Sequence, residues 1–282
     1  MKQLSNVSTF PYLQAPSLRG WGESVGGVSS GICIFDLDGT LLNTIADLGT
    51  ACNYALAAFG FPQHDLDEYP HLVGNGVNRL IERALPVGHK DEATILRLRE
   101  VFVPYYDTHN CVHTQPYEGI PELLRALKQR GFRLAVASNK YQAATAQLVE
   151  HFFPDTFDVV FGERPNVPRK PDPQIVHDIL TRLSTLNSKH STALNSQLST
   201  SLNSQLSTSI NYQLSTINCP QRSTLNSQLL YIGDSLVDID TARNAHLPVI
   251  ACTWGFCSES DLEAARPDYL ARHLADILQI IG

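Results

Sequence analysis

The chain has 282 residues, 43% of them hydrophobic, which is enough for about two domains with a sizeable core. Its 21 basic and 28 acidic side chains leave a formal charge of −7, which argues against nucleic-acid binding by bulk electrostatics. Six cysteines without a C-x-x-C pair, and ten histidines without H-E-x-x-H, argue against a disulfide scaffold and a zinc site.

Residues 1–30, rich in Pro, Gly and Ser, have no apolar core of a secretory signal and read as a loosely ordered extension. No stretch reaches the roughly 18 uninterrupted apolar residues of a membrane span. The expectation is therefore a cytoplasmic protein with neither a nucleic-acid nor a membrane partner.

Apolar, β-branched runs bounded by turn residues predict strands near 32–36, 132–137, 157–161, 229–232 and 248–252. Helix-period segments lie between them, as at 119–130 and 142–152. Short apolar strands alternating with helices predict an α/β fold, a Rossmann-like parallel sheet covered on both faces. Residues 44–117 differ: "TIADLGTACNYALAAFG", "NGVNRLIERALP" and "DEATILRLREVFVPYYDTH" are amphipathic at helical spacing with no convincing strand. They predict a helical subdomain inserted into a core of 31–43 and 118–282. From Leu194 the chain reads LNSQLSTS, LNSQLSTS, INYQLST, almost free of charge. Ser, Thr and Asn are weak helix formers, so 186–224 reads as a low-complexity insertion between a helix and a strand.

Strand ends carry the chemistry. "IFDLDGT" closes an apolar run with Asp36 and Asp38, two apart and so on one face of the strand, followed by Gly39 and Thr40. At the carboxyl end of a parallel strand that face opens into the crevice where such sheets bind ligands. "LLYIGDSLVDID" repeats the design with Asp234, and Asp238 one helical turn later. Such oxygen-rich clusters suit Mg²⁺, although Asp234 as an N-cap and Asp238 as a first-turn helix charge are ordinary alternatives. "LAVASNK" ends in Ser138, Asn139 and Lys140, donors for phosphate oxygens, and "RPNVPRKPDP" holds Lys170 in a proline-stiffened loop.

These four stretches, in this order, resemble the haloacid dehalogenase superfamily of aspartate-dependent phosphohydrolases. The resemblance makes the 44–117 insert that superfamily's helical cap. "LVGNGVNRLIERALP", "PYEGIPELLRALKQRGFRLAVASNK" and "TWGF" are similar to phosphoglycolate phosphatases more narrowly. It implies Asp36 as nucleophile, Asp38 as general acid and base, and Mg²⁺ held by Asp36, Asp38 through its backbone carbonyl, and Asp234, with Asp238 in support. Phosphate binding falls to Ser138, Asn139, Lys170 and Thr40. In the cap, Gly74, Asn75 and Gly76 form the expected specificity turn, with Arg79 and Arg83 as candidates for a substrate carboxylate. The implied substrate is a small phosphorylated metabolite, 2-phosphoglycolate foremost. A pyrophosphatase or broad phosphatase, a phosphosugar mutase, and a non-catalytic binding protein are the alternatives. Asn43 departs from the family pattern, where many relatives carry aspartate.

Overall fold

The computed structural model describes residues 8–9, 31–186 and 229–282. The repeat and nearly all of the expected N-terminal extension lie outside the described residues.

A seven-stranded sheet runs in the order β1 (Ser8–Thr9), β9 (Tyr269–Ala271), β8 (Val249–Cys252), β7 (Leu229–Gly233), β2 (Ile32–Phe35), β5 (Arg133–Tyr141) and β6 (Val159–Glu163). All neighbours are parallel except the β1 edge, which pairs antiparallel with β9. The five predicted strands are β2, β5, β6, β7 and β8. Strands of two or three residues, such as β1 and β9, are too short to show a period in sequence.

Period-two alternation divides the sheet's side chains between two cores. Cys33, Phe35, Leu134, Val136, Leu230 and Ile232 point to one face. There they meet α4 (Ile120–Gln129), α5 (Gln142–Phe152) and α9 (Leu274–Ile281) through Leu123, Leu127, Leu148 and Ile277. Ile32, Ile34, Ala135, Ala137, Leu229 and Tyr231 point to the other. There they pack on a helix over 174–186 (α6), on α7 (Leu236–Asn244) and on α8 (Glu259–Ala264). Burial on both faces explains why the central strands read as unbroken apolar runs.

Between β2 and β5 the chain builds α1 (Ile45–Ala58), a 3-10 turn at Leu66–His71, α2 (Val77–Ala84) and α3 (Glu92–His109). These helices share their own core, with Leu48, Cys52, Leu56, Tyr69, Leu80, Ile81, Leu98, Phe102 and Tyr106 all buried. They leave and rejoin the sheet through a two-residue antiparallel pair, β3 (Leu42–Asn43) with β4 (Gln115–Pro116). β4 is a strand inside the stretch read as purely helical; at two residues it carries no periodic signal. Asp47 fastens this neck: its buried carboxylate accepts from the backbone N–H of His113 and Thr114 and from the Thr114 hydroxyl at 2.8–3.0 Å. The helical layer is thereby held over the carboxyl ends of β2, β5 and β7. No helix among the described residues is long and apolar enough to cross a membrane.

Candidate active site

β2 lies between β5 and β7, where the chain changes direction across the sheet. That switch point is where α/β sheets open a ligand crevice. Asp36 follows β2, Asp234 follows β7, and Ser138–Lys140 end β5, so three parallel strands deliver their terminal residues to one place.

The carboxylates of Asp36, Asp234 and Asp238 offer oxygens within 4.8 Å of one another, all buried. Burial and then the neighbouring Asp238 raise the proton affinity of Asp36, against the opposing pull of Lys170. Burial and then Asp238 push Asp234 up to about 7. Lys170 is also buried, which disfavours its charge, but Asp238 and Asp36 outweigh this and hold it well above the ordinary lysine range. Its Nζ stands 2.9 Å from Asp36 Oδ1 and 2.8 Å from Asp238 Oδ1, and donates to the Ala137 carbonyl at 2.9 Å.

Three carboxylates facing one lysine leave an excess of negative charge, which a cation relieves. Asp36 Oδ1 has the lysine near but accepts no well-directed hydrogen bond. Asp234 accepts one bond on each oxygen, from the Thr40 hydroxyl and from the Phe256 N–H, both at 2.8 Å. Each of its oxygens therefore keeps lone-pair capacity. The set fits a hard divalent cation. Asp238 differs. Oδ1 takes Lys170 and the Tyr231 hydroxyl, while Oδ2 takes the backbone and hydroxyl of Ser235 in a capping box that starts α7. Its acceptor sites are spent on orienting Lys170 and the helix, so its place near an ion is that of a supporting partner.

Asp38 Oδ1 accepts the Thr44 hydroxyl at 2.7 Å and faces Lys140 Nζ at 3.1 Å. Two glycines let the backbone close on this cluster. Gly39 has φ +88° and a Cβ there would lie 2.2 Å from Asp234 Oδ2; a Cβ on Gly255 would lie 2.3 Å from the same side chain. Gly39→Ala therefore adds left-handed strain to a clash with a buried carboxylate. It should cost about 2 kcal/mol or more in urea unfolding and lower turnover as well. The "TWGF" segment seals the same wall: Trp254 Nε1 donates to the Thr40 carbonyl at 3.1 Å, and Phe256 holds Asp234.

The structure brings together Asp36, Asp38, Thr40, Ser138, Asn139, Lys170, Asp234 and Asp238, but several side chains are engaged otherwise than their sequence reading suggests. The Thr40 hydroxyl, expected at phosphate, donates to Asp234. Asn139 is committed to the Lys170 loop: Oδ1 accepts the Lys170 N–H at 2.9 Å, and Nδ2 donates to the Lys170 and Gly74 carbonyls at 3.2 and 3.3 Å. Ser138, 2% exposed, lines the cavity, and its hydroxyl accepts the Lys140 N–H at 3.2 Å. Lys140, read as a donor to phosphate oxygens, instead faces Asp38 and Tyr106.

Gly74, Asn75 and Gly76 line the cavity from the turn before α2. Arg83 lines it too, but its guanidinium donates to the Leu72 and Val73 carbonyls and to Asn75 Oδ1, so it anchors the turn. Arg79 is 60% exposed, paired with Glu82 and absent from the lining: α2 turns it outward, where no substrate carboxylate held in the cavity can reach it. Thr44 and Tyr106 escaped the sequence reading. Thr44 is a lone threonine ahead of α1, and Tyr106 sits among helix-core aromatics, so neither carries a local signal.

A family model for haloacid dehalogenase-like hydrolases matches residues 33–193, and a second, HAD-hydrolase-like model matches 167–277. A phosphoglycolate phosphatase of Agrobacterium fabrum is 32% identical over 235 residues, covering 80% of this chain and 82% of its own. One from Vibrio parahaemolyticus is 28% identical, covering 88% and 94%. The crystal structure of a predicted phosphoglycolate phosphatase from Haemophilus somnus superposes with a TM-score of 0.68 at 26% identity, over 91% of this chain and all of the other. With a family model matched over more than half of its residues and relatives matched over most of its length, the chain belongs to the haloacid dehalogenase-like hydrolases, and it is a phosphatase.

Proposed function

We propose that the protein is a Mg²⁺-dependent phosphomonoester hydrolase that works through an aspartyl-phosphate on Asp36, with 2-phosphoglycolate as its substrate. The observation that carries the chemistry is the pairing of Asp36 and Asp38 at the end of β2, with Lys170 2.9 Å from Asp36. The relatives named phosphoglycolate phosphatase support the substrate. So does a cavity of about 280 Å³ beneath the helical layer, sized for a small metabolite.

Asp36 attacks phosphorus as the bond to the leaving oxygen breaks, and Asp38 gives that oxygen a proton, releasing glycolate. Asp38, now a carboxylate, takes a proton from water as the water attacks the aspartyl-phosphate. Phosphate leaves, with Asp36 free and Asp38 protonated again. Lys170 neutralises phosphoryl oxygens, and the Ser138 hydroxyl donates to them. Asp36, the Asp38 carbonyl and Asp234 would hold Mg²⁺, which screens the dianion from the attacking carboxylate. Residues 44–117 act as the cap, excluding water from the site, while 31–43 and 118–282 form the catalytic core.

The test is phosphate release from 2-phosphoglycolate, pyrophosphate and sugar phosphates, with and without Mg²⁺. Release should require the metal and strongly favour 2-phosphoglycolate. Metal-dependent turnover spread evenly over the panel would remove the substrate assignment alone. Mg²⁺ should also stabilise the fold by about 2.7 kcal/mol at a hundredfold excess over its Kd, a rise in Tm of several degrees. Asp234→Asn should lose that rise; a variant that keeps it would sink the metal site.

A further inference from the structure

One buried cation in the site has no part in the chemistry above. Lys140 is 6% exposed. Its Nζ is 3.1 Å from Asp38 Oδ1, donates to the Tyr106 hydroxyl at 2.9 Å and lies 4.6 Å from the centre of that ring. An ammonium has three N–H donors, so these two partners leave one for an incoming acceptor. Tyr106 belongs to α3, and the lysine is thus held between the sheet and the helical layer.

We propose that Lys140 is the specificity cation that receives the substrate's carboxylate, a role that rests on reading the substrate as 2-phosphoglycolate. Asp38 protonates the bridging oxygen of the phosphoester. In a 2-phospho acid the carboxylate carbon is two bonds from that oxygen. A cation touching Asp38 is therefore within reach of the carboxylate once the phosphoryl group sits on Asp36.

Charge points the same way. A carboxylate brought into a closed site without a partner costs several kcal/mol. Among the described residues, the Lys and Arg side chains lining the cavity are Arg83 and Lys140. Arg83 is tied to the turn before α2. Lys170 is held at the phosphoryl end by Asp36 and Asp238. Lys140 remains. His71, Asn75, Ser235 and Ser258 also line the cavity, but it is Lys140 that touches Asp38, and the apolar wall of Leu48, Leu80 and Phe102 favours a short substrate whose far end is its carboxylate.

The experiment compares kcat/KM for 2-phosphoglycolate and for ethyl phosphate, which has a methyl group in place of the carboxylate. Wild type should prefer 2-phosphoglycolate. Lys140→Gln should lower that preference by about 100-fold, mostly through KM, as expected when a polar partner of the substrate is lost. If both substrates fall by the same factor, or the preference survives, the proposal is overturned, and Lys140 serves only to position Asp38. If wild type shows no preference, the substrate reading itself has failed and takes this inference with it. Should Lys140→Gln not fold, Tyr106→Phe removes only the hydroxyl that holds the ammonium. It should reduce the preference by roughly fivefold, and an unaltered preference in that folded variant would equally reject the idea.

Discussion

Asp36→Asn abolishes phosphate release, by at least about 10⁴-fold, in a protein that still folds. The substitution keeps the shape of a side chain that is 8% exposed and removes the charge that attacks phosphorus. Folding is spared because Asp36 is one of three buried carboxylates grouped round one lysine, so neutralising it relieves repulsion. Acid-quenched wild type, caught during turnover, should gain the mass of one phosphoryl group, and the variant should gain none. An unlabelled wild type that still turns over would exclude the covalent route and leave Asp36 as a metal ligand alone.

The second large effect falls on stability. Lys170→Met takes the one ammonium from between Asp36 and Asp238 and leaves their carboxylates buried with no cation. Breaking a buried pair from one side costs about 3–5 kcal/mol, because the remaining charge is stranded. The urea midpoint should therefore drop by more than about 1 M, and activity should be lost with it. Combining Lys170→Met with Asp238→Asn should return part of the loss, since the second change removes the stranded charge. Additive losses in that double-mutant cycle would show that the two side chains are not energetically coupled. An unchanged midpoint in the single variant would mean that the carboxylates bind protons at little cost.

Much of this protein is legible along the chain. The central strands are unbroken apolar runs because both faces of the sheet are covered, and each run ends where its polar residues reach the crevice. The helical segments 119–130 and 142–152 announce α4 and α5 by their period, and the amphipathic stretches after Thr44 announce α1–α3. The acidic positions at 36, 38 and 234 are legible for a related reason, with 238 one helical turn further on. Charge at the end of a buried strand is costly unless something uses it, so it stands out from its surroundings. The short strands β1, β3, β4 and β9 carry no such contrast. Their pairing is set by where the long strands have already placed the backbone.

What the residues do inside the crevice is another matter. The sequence by itself determined which chemical groups the strands deliver and in what order, because burial and periodicity are local properties of the chain. Only the tertiary structure decided what each group touches. Thr40 donates to Asp234, 194 positions away, and Asn139 locks the backbone of Lys170, 31 positions away. Arg79 faces solvent although the turn beside it lines the cavity, because α2 rotates successive residues by about 100°. Lys140 meets Asp38 across the neighbouring ends of β5 and β2, and meets Tyr106 because the neck at Asp47 seats α3 over the sheet. Hydrogen bonds and ion pairs act over about 3 Å, and which groups come that close is a property of the packed layers that no stretch of sequence contains.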